Sequence, residues 1–506
     1  MNNRLVRSSA FLALLVVVSL AIPSQADTTQ KIRVQDALRL ALEKNAEFRT
    51  AMLQEELAAA QVTIEDGLYP FVLQVDGGYT HTSTPGLTAD SALQFSKADN
   101  LSLGTELRKT LPIGTTATLR LEGSRQDTEG TATGLDAAGM PNPTYGVSAK
   151  LSITQPLLRG AGNTVGLASL RQARNSQTVA QKSAQLSASK LARDVQQAYW
   201  ELWYSRQALE IDRRARDIAA SQVQETQDRV QRGAAAPNDL LSFQTRLATL
   251  DETVATAETT YEQMASKLAA TLGVIDSTWK IEPDLTQEPP VPSADPSLAS
   301  VEPQAISQAP ELLQATAEVA LAEDKVLIAG EDMRQRLDLT GWIEAQTLGD
   351  SKAPPALSHF GHESALSGYV GLIYEWPFGC ARKASELAAA RISVEIARKQ
   401  LQAAQDQVKA DLAGALDNLA GTRRRLALAE TTLGIAERSA AAERERLRAG
   451  SSIFTSVRDA EEAVREASLR SVRARVDLTT ARLDLDHLTG NLLSSIASML
   501  SAEASR

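Results

Sequence analysis

One run without proline constrains this chain more than any other feature. From Leu157 to Ala236 there is no proline, and the pattern is compatible with helix. The run begins where a strand-like stretch, Ile153-Thr154-Gln155-Pro156-Leu157-Leu158, ends. It breaks at Arg232-Gly233-Ala234-Ala235-Ala236-Pro237, and a second helical pattern returns to Leu272-Gly273. The first arm is about seventy residues, so at 1.5 Å per residue it is roughly 100 Å long. Helices of ordinary globular domains run three to four turns. An element of this length implies that something has to be spanned.

The same grammar occurs twice. At an offset of 217, Ala173 falls on Ala390, Ala198 on Ala415, Leu202 on Leu419, Gly233 on Gly450 and Gly273 on Gly490. At an offset of 264, Asn45-Ala46-Glu47-Phe48 falls on Ala309-Pro310-Glu311-Leu312, and the strand Leu73 to Gly77 on Leu337 to Gly341. The chain reads as two tandem copies of a unit with helix, strands, long helix and returning helix, the long-period kind of repeat.

Between the helices the pattern changes to alternation. Phe71, Leu73, Val75 and Tyr79 alternate with Gln74, Asp76 and Thr80; Leu101, Leu103 and Leu107 with Ser102, Glu106 and Arg108. Further alternating stretches lie at 115–122 and 145–153, and in the second copy around 337–345 and 368–376. Segments of eight to eleven residues, apolar on one side and polar on the other, suit strands that meet lipid on one face and water on the other. A soluble sandwich would alternate too. Tyr69 and Phe71, and Tyr374, Trp376 and Phe378, sit where strand meets helix, as an interfacial aromatic belt would. The polar stretches 83–100, 123–144 and 346–367 read as outer loops. Residues 276–310, with seven prolines, read as a linker of little regular structure.

The bulk numbers exclude several classes. The formal charge of −10 makes nucleic acid a poor partner. Arg4 and Arg7 precede the apolar run Phe11 to Ile22 and a small-x-small site at Ser24-Gln25-Ala26, the grammar of a secretory signal over 1–26. Taking those two arginines from −10 leaves −12 for the mature chain. Cys380 is the only cysteine, so no internal disulfide framework or cysteine-rich metal site is expected. After the signal no apolar run is long enough for a transmembrane helix.

These residues together resemble the TolC-like outer-membrane efflux proteins. The resemblance rests on the helix opening Val34-Gln35-Asp36-Ala37-Leu38 with Asn45, the strand-to-helix prolines Pro156 and Pro377, the Arg-x-Gly turns and the two-fold repeat. It covers nearly the whole mature chain. It implies an α+β membrane protein: a trimeric β-barrel in the outer membrane continued by a long periplasmic α-helical barrel. It implies a homotrimer, a periplasmic membrane-fusion adaptor and an inner-membrane pump as partners, outer-membrane lipid around the barrel, and passive diffusion of cargo. No cofactor, metal or catalytic residue is implied. The competing reading is a periplasmic structural coiled-coil or adaptor protein, which accounts for the helices but not for six alternating strands.

The expected organisation is a signal peptide at 1–26, first-repeat N-terminal helices at 27–69, a β segment with outer loops at 70–156 and a long helical hairpin at 157–275. The linker at 276–310 follows, then the second repeat's first helix at 311–336, its β segment at 337–377, its helical hairpin at 378–490 and a tail at 491–506. One departure stands out: the family pattern has two strands per repeat, whereas the first repeat here has four. Gly77 to Ala173 spans 96 residues against 49 from Gly341 to Ala390, an excess of 47. Four of these fall at Arg159-Gly160-Ala161-Gly162, and most of the rest form the extra hairpin 101–122. That hairpin could enlarge the barrel or project from it; our reading places it as an elaboration of the outer end.

The candidate functional residues lie at the far turns. The resemblance assigns adaptor docking to the turns at Arg232, Gly233, Ala449 and Gly450. The family's acidic entrance rings map onto Ser456 and Asp459 here, with Asp239 and Ser242 as first-repeat equivalents. A trimer would place three Asp239 and three Asp459 carboxylates near the constriction, favouring cations. The plain alternative for Asp239 is a helix N-terminal acid after Pro237, and for Asp459 a solvated face beside Glu461 and Glu462. The family's tyrosine and arginine latch maps onto Leu447 and Ser452, so that gate is not carried over. Tyr199, Trp200, Trp203 and Tyr204 form two i,i+4 pairs, expected to be helix packing. Gly160-Ala161-Gly162 with Gly166 mimics a dinucleotide loop but lacks the second parallel strand and the acid that such a site needs. His81, His359 and His362 read as outer-loop histidines.

Overall fold

The computed structural model describes residues 30–496 other than 68, 88–92, 130–141, 234–235, 275–280, 293–294, 351–363, 377, 380 and 450. The expected signal segment, His359, His362, Pro377, Cys380 and Gly450 lie outside the described residues. In chain order the first repeat comprises β1 (Gln30–Ile32), α1 (Val34–Lys44), α2 (Ala46–Asp66), β2 (Phe71–Leu87), β3 (Leu93–Thr110), β4 (Thr116–Glu129), β5 (Thr144–Pro156), α3 (Asn163–Gly166), α4 (Ala168–Gln231) and α5 (Pro237–Leu272). Then come β6 (Ile281–Pro283) and α6 (Leu298–Gln308). The second repeat is α7 (Pro310–Asp332), β7 (Arg336–Asp350), β8 (Ala365–Glu375), α8 (Ala381–Arg448) and α9 (Phe454–Leu488).

Proline-free sequence produces two very long helices. α4 has 64 residues and α8 has 68, about 100 Å each at 1.5 Å per residue. Neither returning helix matches that length alone. Along α4, the 36 residues of α5 are followed by the 21 of α2, and both pack against α4. Along α8, α9 and α7 do the same. The end-to-end junctions are tight. Gly273 ends α5 in the left-handed region (φ 76°), and a Cβ there would lie 2.6 Å from the carbonyl oxygen of Lys44. Gly490 repeats this at φ 72°, where a Cβ would lie 2.4 Å from the oxygen of Gln308. Lys44 and Gln308 are themselves equivalent at the 264 offset, so both repeats use one backbone-to-backbone seat that only glycine fits.

Asn45 joins α1 to α2. Its backbone is extended (φ −65°, ψ 121°), and it caps α2: Oδ1 accepts the Phe48 N–H at 3.0 Å. Its Nδ2 donates to the Thr271 carbonyl at 3.0 Å, tying the cap to the end of α5. Tyr199, Trp200 and Trp203 are core, as helix packing requires. They lie edge-to-face at 5.1 and 6.2 Å and share a cluster with Leu38 and Ala41 of α1. Burial pushes the Tyr199 hydroxyl up to about 12, and that hydroxyl donates to the Ile32 carbonyl at 3.1 Å. The repeat-equivalent Leu202 and Leu419 are both fully buried.

Two expectations about irregular segments are corrected. The stretch 276–310 carries β6, which pairs in parallel with β1, and α6, with Pro303 inside it. The supposed loops at 83–100, 123–144 and 346–367 begin and end in strand: β2 runs to Leu87, β3 starts at Leu93, β4 runs to Glu129, β5 starts at Thr144, β7 runs to Asp350 and β8 starts at Ala365, while 88–92, 130–141 and 351–363 lie outside the described residues. The ladder continues beyond the apolar band, where neither face needs to be apolar, so the alternation fades while the hydrogen bonding does not. His81 accordingly lies on β2, beside Asp99 at 2.6 Å, rather than in a loop.

The sheet has six strands in the order β2-β3-β4-β5-β7-β8, every pair antiparallel. The extra hairpin is β3–β4, and it is an integral part of this sheet rather than a projection from it. Its turn at Leu111 to Thr115 lies at the helix-side end. It rests on the glycine-rich turn: Gly162 N–H donates to the Ile113 carbonyl at 3.1 Å, a Cβ on Gly166 would lie 1.9 Å from the Pro112 oxygen, and one on Gly114 would lie 2.2 Å from the Gly160 oxygen. The two parts of the first-repeat insertion are therefore one device. The added residues at 159–162 shape the seat, and the added hairpin occupies it.

Candidate functional site

The sheet has two chemically opposite faces. Following the strand register, Leu73, Leu107, Leu119, Leu151, Ile343 and Gly368 are successive cross-strand partners from β2 to β8. One residue along, Gln74, Glu106, Arg120, Lys150, Glu344 and Ser367 form the parallel row on the opposite face. The polar row is knitted by ion pairs. Arg120 reaches Asp76 at 2.9 Å and Glu122 at 3.0 Å, Arg108 meets Glu106 at 2.5 Å, and Lys150 meets Glu344 at 3.3 Å. The Arg120–Asp76 pair spans from β4 to β2 over the intervening strand. Gly104 of β3 makes room: a Cβ there would lie 2.7 Å from Arg120 Nη2 and 2.9 Å from Asp76 Oδ2. Lys150 also sits 4.1 Å over the Trp342 ring. The apolar face is bare: Phe71, Leu73, Val75, Val370 and Leu372 are all exposed. Such a sheet separates a hydrocarbon phase from an aqueous one.

At the other end of the long helices are the two hairpin turns. Gly233 has φ 72° and its N–H donates to the Val230 carbonyl at 3.0 Å, while Arg232 Nε donates to the Asp228 carbonyl at 3.1 Å. In the second turn Ala449 N–H closes onto the Glu445 carbonyl at 2.9 Å, and Ser452 Oγ donates to Glu443 at 2.6 Å. That hydrogen bond, with Arg446 nearby, holds the Glu443 carboxyl below the usual range. Asp239 lies in the first turn of α5, where its carboxylate accepts the Ala236 N–H at 3.4 Å. Asp459 has a 67% exposed side chain, paired with Arg458 at 2.8 Å. The two aspartates thus lie near the starts of the two returning helices but not at equivalent positions: Asp239 is in the first turn of α5, whereas Asp459 lies beyond the first turn of α9, at the counterpart of Ser242.

Sequence reasoning missed the polar node just above these turns. Glu461 does not lie on a solvated face: its side chain is only 6% exposed. It accepts from Gln222 of α4 at 2.8 Å and from Arg444 of α8 at 3.2 Å, and faces Arg246 of α5 at 3.7 Å. Burial lowers the Arg246 basicity, against the pull of Glu461 and Glu462. Beside it Arg465 joins Asp212 at 2.7 Å and Glu462 at 2.6 Å. Four helices are therefore tied together near the turns. A mutual offset of charged residues between helices hundreds of residues apart is invisible without the fold. Phe243 and Phe454, edge-to-face at 5.7 Å, close the tip below.

The sequence of residues 301–491 matches the family described as outer membrane efflux protein. That match runs from within α6 to just past the end of α9. The fold agrees along nearly the whole chain. A membrane protein from Pseudomonas aeruginosa superposes with a TM-score of 0.62 at 16% identity, covering 90% of each chain. The outer membrane channel CmeC of Campylobacter jejuni gives 0.61 at 14%, covering 94% of this chain and 89% of its own. The outer membrane protein VceC of Vibrio cholerae gives 0.58 at 15%, covering 90% and 96%. Comparison with curated proteins gives no match. Among the described residues no helix is long and apolar enough to cross a membrane.

One further cluster looks chemical. His487 bridges Ser189 Oγ, 2.7 Å from its Nδ1, and Glu311 Oε1, 3.1 Å from its Nε2. The ring is turned opposite to the hydrolase arrangement, where Nε2 serves the serine. Ser189 is 0% exposed in mid-helix, so no substrate reaches it. The trio instead ties α4, α7 and α9 together. Burial pushes the Glu311 carboxyl up, but the His487 hydrogen bond, its own backbone N–H and the nearby His487 and Lys190 charges outweigh it and hold it below its ordinary value. A depressed carboxyl stabilises the fold above its unfolded pKa and loses that contribution as pH falls through the folded value. Glu311→Gln should therefore cost about 1 kcal/mol at pH 7. The gap to wild type should close as unfolding is measured below about pH 4.5. A gap independent of pH would mean that Glu311 acts through packing alone.

Proposed function

We propose that three copies assemble into a passive exit duct of a tripartite export system. The barrel lies in the outer membrane, the helical tunnel crosses the periplasm, and a membrane-fusion adaptor and inner-membrane pump dock at the hairpin turns. The observation that carries this reading is the pairing of a two-faced sheet with helices about 100 Å long. The helices of a single chain also leave apolar stripes uncovered. α2 has no buried residue, and Leu53, Leu57 and Ile64 on it are exposed, as are Leu428 and Ile435, seven residues apart on α8. Seven-residue spacing of exposed apolar residues suits seams between neighbouring helices. Exposed Leu241 and Ile453 beside the two turns offer apolar contacts to an adaptor, with Arg232, Gly233, Ala449 and Gly450 as the docking turns. Cargo passes by diffusion, and no catalytic step, cofactor or metal takes part.

Asp239 and Asp459 are the entrance acids in this reading, six carboxylates per trimer. Replacing both with asparagine should reduce the cation-over-anion permeability ratio several-fold without changing trimer yield. Reversal potentials under a salt gradient read this directly, and an unaltered ratio would remove both residues from the pore. The assembly itself is tested by native mass spectrometry of detergent-purified protein. A trimer is expected; a stable monomer would favour the periplasmic coiled-coil reading.

A further inference from the structure

We propose that the open edges of the sheet, β2 and β8, pair between copies, and that the inserted hairpin β3–β4 lies within the resulting wall, giving a barrel of eighteen strands. This rests on the trimeric reading above and specifies its exit.

Direction comes first. β2 starts at the end of a helix, α2, and β7 at the end of α7, so both run away from the helices. β8 ends where α8 begins and therefore runs toward them. The two edge strands are antiparallel, as are all five pairs within the chain, so β8 of one copy can continue the ladder onto β2 of the next without reversing the pattern. The sheet needs such a partner, because an exposed apolar edge strand is otherwise an aggregation site. Val370 on β8 is 79% exposed and Leu73 on β2 is 65% exposed.

Membership of the hairpin in the wall comes next. Both faces continue through it without a break: Leu107 and Leu119 carry the apolar row, Glu106 and Arg120 the charged row. Its Arg120 pairs with Asp76 of β2, which ties the insertion to the strand that precedes it. Its turn is fixed at the helix-side rim by the Gly162–Ile113 hydrogen bond. A projection beyond the membrane would need neither an apolar outer face nor an anchor at that rim.

Size follows from strand number. Barrel diameter grows roughly linearly with strand count, so eighteen strands give about 1.5 times the diameter of a twelve-strand barrel built from two strands per repeat. With strands ~4.8 Å apart and tilted ~40°, the backbone diameter is about 36 Å. The exit of this duct is thus built for bulkier cargo, or more loosely confined cargo, than the two-strand repeat would pass.

The experiment uses the full chain with Cys380→Ser. Single cysteines are placed on β2 at Leu73, Val75 or Gly77 and, in the same chain, on β8 at Val370, Leu372 or Tyr374, and the trimer is oxidised in lipid. At least one register should give near-complete disulfide-linked trimers. In parallel, Leu103→Cys and Leu121→Cys should resist a water-soluble maleimide, whereas Ser102→Cys and Ser124→Cys should react. A trimer by native mass that cross-links at no β2–β8 register, or whose Leu103 and Leu121 cysteines label as fast as Ser102 and Ser124, overturns the eighteen-strand wall and leaves the trimer standing. A monomer overturns both. Replacing 88–143 with a short glycine-rich turn joins β2 directly to β5 in antiparallel order. If that variant folds, it should exclude polymers from the outer mouth at about two-thirds of the wild-type size limit. An unchanged limit counts against the proposal.

Discussion

Glu461→Ala should be among the most damaging single substitutions in the molecule, lowering stability by about 3 kcal/mol. The reason is what remains behind. Arg246 has an 11% exposed side chain and leans on Glu461 and Glu462 at 3.7 and 3.8 Å; removing Glu461 leaves a half-paired guanidinium in a buried site. Gln222 and Arg444 lose their acceptor in the same step. Breaking a buried pair costs far more than the pair is worth, whereas exchanging both charges for apolar groups of like volume is often near neutral. The double variant Arg246→Met with Glu461→Met should therefore recover most of the loss. Chemical unfolding in detergent measures both. A double variant no better than Glu461→Ala would mean that the charges specify the tip rather than merely compensate each other. Because the node ties α4, α5, α8 and α9, its loss should also speed amide exchange at the tips while leaving the sheet unchanged.

Gly490→Val should be nearly as costly. A side chain in the left-handed region costs about 1–2 kcal/mol by itself. Here the added Cβ would also sit 2.4 Å from the Gln308 carbonyl oxygen, a backbone atom that cannot swing aside. The loss should exceed about 2 kcal/mol. Gly273→Val meets Lys44 in the same way at 2.6 Å, so the two variants should behave alike. Thermal unfolding of the two variants side by side reads this. A harmless Gly490→Val beside a damaging Gly273→Val would show that the second junction is free to open, and that the pseudo-symmetry stops short of it.

Those glycines show which parts of the fold the sequence carried in readable form. Gly273 and Gly490 stood out through the 217-residue offset, as did Leu202 and Leu419, because positions fixed by backbone approach or full burial tolerate little change between repeats. The long helices were legible from the missing prolines. The strands were legible where lipid imposes alternation, as at Leu73, Leu107 and Leu119. Their outer halves were not, since beyond the apolar band Thr82 or Gln126 satisfies either face equally. The role of Asn45 was not legible, because asparagine stops one helix or caps the next, and only the Phe48 N–H distinguishes the two. Glu461 was unreadable: a glutamate among charged neighbours looks solvated until Arg246, Arg444 and Gln222 are brought in from three other helices. The insertion was visible as surplus length. Its place in the sheet depended on Gly160, Gly162 and Gly166 receiving the turn at Pro112, a contact between segments with no shared motif.

The most direct test of the central claim is single-channel conductance of the detergent-purified protein in a planar bilayer. A passive duct with a wide outer barrel and a charge-bound tip predicts small, long-lived, cation-selective steps, limited by the tip and enlarged in Glu461→Ala. Protein that is folded by circular dichroism and incorporated into the bilayer, yet conducts no ions in either form, would contradict the account.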